Sequence, residues 1–512
     1  MKKNSLTTAV VAGIAGVAGF AGLANAVHLN PDGLGQVLLY PYYTVNNGQQ
    51  TLLSVVNTAP VAKAIKVRFL EGYNSREVLD FNLFLSPYDV WTATIFALRD
   101  DGKDSDAAGI LTRDRSCTAP LFSEDGTNTS DGTPYVTFRE FAYLMPSDGG
   151  PTTIDRTREG HFEMITMADL SDDLAAAVTH SPPGGSPADC DAVRNLQGGE
   201  AGLDIPTSGI FGGAGIVNGG QGTFYTYNAD ALDRFTQQVN FTATNNVLPN
   251  LANVNDGIGP VLGAQATANV FTGTGVTTSV YPGADPRSRR VDAVSAIFTA
   301  DAIYNEFQTA TSIGANSDWV VTFPTKAFYV DALFGGSPAI PPFTRSYNGS
   351  ASAGVNRYSC VAVGLKIYDQ EEKTPGGNNP GFSPPPPGAP PSSLCKETNV
   401  ISFLNVNVAP TSSGVLGSTL ITNVNPAANG AAGWLRVNFD ATTEPHAMLA
   451  ATNGNVFRGL PVTGFYAMNI VNSNVTVIDG VQATLANYSG VFNHRKSRNC
   501  VNGSQTAQFA CS

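Results

Sequence analysis

The sequence predicts a mainly β protein, built of antiparallel β-sandwich (Ig-like) modules with a few short helices and long loops. Residues 64–85 read AIKVRFLEGYNSREVLDFNLFL. Ile65, Val67 and Phe69 alternate with Lys66 and Arg68, and Leu79, Phe81, Leu83 and Leu85 alternate with Asp80 and Asn82. A period of two marks strands with one apolar and one polar face. Comparable runs recur at roughly ten-residue spacing with turn residues between them, the grammar of a sandwich. Charged residues make up only 14% of the chain, so Asn, Thr, Ser and Gly must supply the polar surface, as suits an extracellular β protein.

Residues 1–26 read as a secretory signal peptide. Lys2 and Lys3 precede an apolar stretch, and Ala24-Asn25-Ala26 forms an A-x-A site, which predicts cleavage near Ala26. No Cys follows the site, so a lipid-anchored lipoprotein is not expected. No later run approaches the roughly 20 apolar residues of a membrane helix, so no transmembrane anchor is expected in the mature chain. The predicted location is secreted, periplasmic or cell surface.

A chain of 512 residues exceeds one ordinary core. Residues 27–200 predict an N-terminal sandwich with acidic loop insertions. Its strands are QTLLSVVNTA, AIKVRFLEG, REVLDFNLFL and VWTATIFAL. Lys66 and Arg68 are expected to meet Asp80 and Asn82 across the ladder, on a face turned to solvent unless it is a contact surface. SDDLAAAVTH predicts a short helix capped by Ser171. Residues 201–371 predict a β-rich middle region: a Gly-rich strand pair, a short helix from Asn228 through Phe235, and a helix in VSAIFTADAIYNEF. There Val294, Ile297, Phe298, Ile303, Tyr304 and Phe307 fall near helical spacing. SDWVVTFPTKAFYV returns to strand, with Trp319, Val321 and Phe323 on one face. Residues 372–394 are rich in Pro and Gly, either a linker or a surface excursion; flanking strand-like sequence favours the excursion. Residues 395–512 predict a β-rich C-terminal region in which Leu435, Val437 and Phe439 alternate with Trp434, Arg436 and Asn438. TLITNVNPAANGAAGWLRVNF has the layout of TLLSVVNTAPVAKAIKVRF, read here as two β-hairpins of shared grammar rather than a repeated sandwich unit.

Six cysteines lie beyond the leader: Cys117, Cys190, Cys360, Cys395, Cys500 and Cys511. An even count in an exported chain favours disulfides. About fifteen pairings are possible, and pairing of sequence neighbours is the simplest. No C-x-x-C occurs, which removes support for zinc ribbons and thioredoxin-type sites.

The formal charge of −12 argues against nucleic acid as a partner, which would require clustered Lys and Arg. His161 and Glu163 form the H-x-E half of a zinc-deaminase signature, but the P-C-x-x-C half is missing, so they read as polar residues at the wet end of a strand. Around Ser186 the sequence approaches a nucleophile elbow, but Pro187 lacks the N–H that an oxyanion hole requires. Gly213 and Gly215 brush against a dinucleotide fingerprint with no helix after them and read as strand glycines. His28, second in the mature chain, is out of place for amino-terminal copper chemistry. Asp100, Asp101, Asp104 and Asp106 crowd one loop, and Glu124, Asp125 and Asp131 another. Of these, Asp101, Asp104 and Asp106 are the candidate Ca²⁺ ligands, although the EF-hand spacing is absent and a solvated acidic loop is the favoured reading. No other cofactor is expected.

Several stretches occur together: GLGQVLLYPYYTVNNGQQTLLSVVNT, KVRFLEGYNSREVLDFNLFLSPYDVW, GTFYTYNADALDRF, SDWVVTFPTKAFYV, GLPVTGFYAMNI and FNHR. With them the chain resembles a family of exported, cell-surface-type proteobacterial proteins. The resemblance spans most of the mature chain and implies location and β-architecture. It carries no catalytic residues across. The functional expectation is an exported structural or adhesive protein, self-associating or binding other surface proteins or glycans. The alternatives are a secreted polysaccharide hydrolase, whose carboxylate pair has no short motif, and a Ca²⁺-dependent binding module.

Overall fold

The computed structural model describes residues 26–122, 127–143, 148–181, 185–244, 246–255, 265–272, 275–283, 289–347, 358–371, 392–404, 411–426, 430–440, 444–472, 486–502 and 511. The signal peptide expected at 1–26 lies outside them except for Ala26, as do Glu124 and Asp125.

Two β-sandwiches account for most of the chain, as the alternation predicts. The first pairs an eight-stranded sheet with a six-stranded one. In hydrogen-bonded order the first sheet runs His28–Leu29, Asp230–Asp233, Val37–Thr44, Glu159–Leu170, Ala62–Glu71, Glu77–Leu85 and Cys117–Ala119, with Leu203–Asp204 beside Glu159–Leu170. The second sheet runs Thr223–Asn228, Ile210–Asn218, Gln50–Asn57, Val90–Ala97, Ala108–Leu111 and Tyr135–Thr137. Ile65, Val67, Phe69, Phe81, Leu83 and Leu85 meet Leu53, Val55, Trp91 and Ile95 in the core between them.

The second sandwich pairs a third, four-stranded sheet with a fourth, five-stranded one. The third runs Gly364–Asp369, Ala432–Asn438, Ala302–Gln308 and Arg495–Ser497; the fourth runs Ile421–Val424, Thr398–Phe403, Ala315–Thr322, Phe465–Asn472 and Ala486–Asn493. Pairing is antiparallel except between Thr398–Phe403 and Ile421–Val424. The central strands of the fourth sheet, Thr398–Phe403 and Ala315–Thr322, are buried on both faces. Trp319, Val321, Ile401 and Phe403 face the second core. Val320, Val400, Phe465 and Ala467 face the first, where the Phe465 ring stacks on Tyr227 at 4.8 Å.

The other side of the first sheet is covered too. The helix Val291–Phe298 and the hairpin of Ala266–Thr272 with Gly275–Tyr281 pack on Val37, Leu39 and Ile165. The polar face of residues 64–85 is not wet, which corrects the expectation of solvent there. Lys66 and Arg68 sit opposite Asn82 and Asp80 as expected, but Lys66 is fully buried. Its Nζ donates to Asp80 Oδ2 at 3.3 Å and to the Asn246 carbonyl at 3.0 Å, while Asn82 Nδ2 donates to the Thr242 carbonyl at 2.9 Å. Arg68 pairs with Glu77 and Glu163. Alternation identifies the polar face; whether water or another segment covers it depends on hydrogen-bond satisfaction, which here is supplied from within the chain.

Other readings are also corrected. Asp230–Asp233, expected as part of a helix, is a strand that extends the first sheet, with Ala231 turned to the core and Leu232 to the covering layer. The helical reading of 294–307 holds only for Val291–Phe298; Ala302–Gln308 is a strand. Ile303 and Phe307, four residues apart, satisfy both periods. The sheets also cross the boundary expected at residue 200, because 203–233 supply strands to the first sandwich. Neither expected hairpin forms. Gln50–Asn57 and Ala62–Glu71 lie in facing sheets, as do Ile421–Val424 and Ala432–Asn438, so each segment crosses its sandwich. The helix Asp172–Val178 starts at Ser171 as expected, without a capping bond from the serine side chain.

Three disulfides join Cys117 to Cys190, Cys360 to Cys395 and Cys500 to Cys511, the sequence-neighbour pairing. Cys360–Cys395 adjoins the strand pair Val361–Ala362 with Ser393–Leu394, which pins the base of the Pro/Gly-rich segment; residues 372–391 themselves lie outside the described residues. No helix among the described residues is long and apolar enough to cross a membrane.

Candidate functional site

The outer face of the second sheet is open, and it carries a groove of about 710 Å³. Register assembles it. Thr226, Gly215, Leu52, Thr94 and Leu111 line up across five strands. Asn228, Gly213, Ser54 and Thr92 form the adjacent row across four. Phe224 stands at one flank, and Thr112, Arg113, Asp131 and Thr133 rim the groove. Leu52 is 38% exposed and Phe224 50%, unusual for large apolar side chains on a sheet.

The two strand glycines have a structural reason. A Cβ on Gly215 would lie 2.3 Å from Phe224 Cε2 and 2.6 Å from Cζ, so the ring edge occupies the space that a side chain at 215 would need. A Cβ on Gly213 would lie 2.9 Å from the Tyr227 carbonyl. The floor is therefore low beside a half-exposed aromatic ring.

Charge is confined to the rim. Arg113 Nη2 meets Asp131 Oδ2 at 2.5 Å. Asp131 also accepts from Thr129 Oγ1 at 2.6 Å and Thr133 Oγ1 at 2.8 Å, and these bonds hold its carboxyl well below the usual carboxylate range. Asp131 is the one carboxylate among the described lining residues, so this groove brings no acid–base pair together.

The residues singled out in the sequence lie elsewhere. Asp101 accepts from Ser130 N and Oγ at 3.0 and 2.6 Å, Asp106 pairs with Arg99, and the Asp104 side chain is fully exposed. Among the described residues no group of three or more His, Cys, Asp or Glu converges as a metal would require. His161 and Glu163 are buried, not at a wet strand end: Glu163 pairs with Arg68, and His161 has no hydrogen-bond partner on either ring nitrogen among the described residues. Burial, with Arg68 nearby, pulls His161 down to about 3, so the ring is neutral. His28 places Nδ1 3.1 Å from the Ala26 carbonyl. Ser186 and Pro187 lie in a loop. Sequence reading missed Leu52, Thr92, Thr94, Phe224 and Thr226 as a surface. The signal was available as the outward half of each alternating strand.

Fold and site together define a multi-sheet, disulfide-bonded β-sandwich protein whose second sheet has an open outer face with charge at the rim of its groove. The chain matches no protein-family model, no curated protein and no solved structure.

Proposed function

We propose that this is an exported, non-enzymatic surface or extracellular protein whose open second sheet is a binding face. The observation that carries the reading is the contrast between the two sheets of the first sandwich. The first is covered by the chain's own helix and hairpin layer, whereas the second leaves Leu52, Phe224, Thr92 and Thr226 exposed around a groove. Three formed disulfides and the leader-like first 26 residues support an oxidising, exported location. Among the described residues the groove lining holds one carboxylate and no pair, which favours binding over hydrolysis there.

The test compares adhesion of wild-type cells with a deletion strain and with a strain carrying Thr94→Arg, a substitution on the open face. Export and adhesive function predict that both mutants lose attachment to cells or matrix while the Thr94→Arg protein is still secreted and folded. Unchanged adhesion and surface properties in the deletion strain reject the reading. Glycan cleavage by purified protein would replace it with the hydrolase.

A further inference from the structure

We propose that the groove on the second sheet binds a neutral glycan, with a sugar ring stacked on Phe224. This rests on the reading of that face as a binding surface and names what it takes. Groove size is appropriate, because about 710 Å³ lies within the range of small-ligand sites.

Lining chemistry selects the ligand class. Ser54, Thr92, Thr94, Thr226 and Asn228 supply hydroxyls and one amide, groups that both donate and accept. The side chains of Thr94, Thr226 and Asn228 make no hydrogen bond to another described residue. The strands that carry Gly213, Gly215, Leu52, Ser54, Thr92 and Thr94 are paired on both sides, so the groove floor offers an extended peptide no free main-chain edge; the unpaired edge of the sheet lies along Thr223–Asn228. A polyhydroxylated ligand needs none, since it pairs with side-chain hydroxyls directly.

Charge complementarity narrows the class further. Arg113 and Asp131 neutralise each other at the rim, and no other charged side chain lines the groove among the described residues. A sulfated or uronic-acid chain would find no free cation to meet it, and the chain as a whole is acidic at −12.

The aromatic geometry supplies the third argument. Glycine at 215 makes room for the Phe224 ring, whose Cε2 and Cζ edge comes up to it, and the side chain remains 50% exposed. A half-exposed aromatic ring beside hydroxyl donors matches a pyranose, which has an apolar C–H face and a polar edge. Leu52, in register with Gly215, extends the apolar strip.

The experiment uses the secreted full chain against immobilised neutral hexose and N-acetylhexosamine oligosaccharides, with sulfated and polyuronate oligosaccharides in parallel. Retention on a neutral set, unchanged between 50 mM and 500 mM salt, is the expected result. Phe224→Ala should weaken it about tenfold with an unchanged melting temperature, and Thr94→Arg should abolish it. Retention only on the charged sets, lost with salt, overturns the proposal. So does a Phe224→Ala protein that binds as well as wild type. Cell adhesion that needs Thr94 in the absence of any glycan binding also overturns it, while leaving the binding face itself in place. Loss of neither adhesion nor glycan binding in Thr94→Arg removes both.

Discussion

Arg156 grips Glu71 with two parallel bonds, Nε to Oε2 at 2.7 Å and Nη2 to Oε1 at 2.8 Å, and both side chains are fully buried. Glu71 in turn accepts from the backbone N–H groups of Tyr73, Asn74 and Arg76, fixing the turn between Ala62–Glu71 and Glu77–Leu85. Arg156 also pairs with Asp148, and its guanidinium lies 4.2 Å from the Tyr143 ring centroid. A neighbouring ion pair, Arg76 with Asp331 at 2.8 Å, reaches from this turn to the segment after Phe323.

Removing one partner from such a pair strands a buried charge. Arg156→Met is therefore expected to cost about 3–5 kcal/mol, read as a lower urea midpoint with an unchanged slope. Arg156→Lys should recover only part of it, because an ammonium cannot make the two parallel bonds. Full rescue by lysine would show that charge alone matters at this position.

The acid response follows from two histidines. Burial pulls His161 and His494 down to about 3 each. His494 is held between Asn305 Nδ2 at 3.0 Å and the Val320 carbonyl at 2.8 Å, so Nδ1 accepts and Nε2 carries the proton. An unfolded histidine titrates near 6.5, so the unfolded state binds more protons below that pH. The stabilisation is complete above about 6.5 and is lost as pH falls towards 3. Glu397, pushed up by burial to about 8, acts in the opposite sense, losing stabilisation as pH rises from about 4.5 to 8. The prediction is thus a difference: His161→Leu should flatten the fall in stability between pH 6.5 and 4, by up to about 1.4 kcal/mol per pH unit. Parallel pH curves for variant and wild type would contradict it.

Legibility in the sequence divided along physical lines. Alternation located strands well where one face is apolar, as in Ile65, Val67 and Phe69 or Leu435 and Val437. It could not say what covers a polar face, so Lys66 looked solvated. It also misassigned Tyr304, because Ile303 and Phe307 fit a helix as well as a strand, and pairing with 432–438 and 495–497 decides the matter. The groove was illegible for a related reason. Gly215 and Phe224 are nine positions apart, and only the hairpin register brings the ring to the glycine.

Cys117–Cys190 ties the edge strand Cys117–Ala119 to the helix Asp191–Arg194 across a separation of 73 residues. A loop of that length loses much freedom when closed, so replacing both cysteines with serine should cost about 2–4 kcal/mol. The loss should appear as a lower melting temperature that dithiothreitol does not lower further through this bond. A double variant as stable as wild type would overturn the loop-closure argument and leave the packing of Phe84, Val178 and Val193 as what holds these segments together.

Gly464 sets the distance between the fourth sheet and the chain returning beside it. Its φ is +137°, and a Cβ there would lie 1.9 Å from the Val320 carbonyl oxygen. The obstacle is backbone, so no rotamer change relieves it. Thr463 before it exchanges two hydrogen bonds with Thr322, each 2.9 Å, and Phe465 after it enters the first core against Tyr227. Alanine must therefore either break that exchange or shift Phe465. Gly464→Ala is expected to cost about 3 kcal/mol. Gly335 makes the control: its φ is +77°, but nothing lies within 4 Å of its added Cβ. Gly335→Ala should show backbone strain alone, about 1 kcal/mol. Equal losses at the two positions in denaturant titrations would place the cost in φ and remove the steric argument.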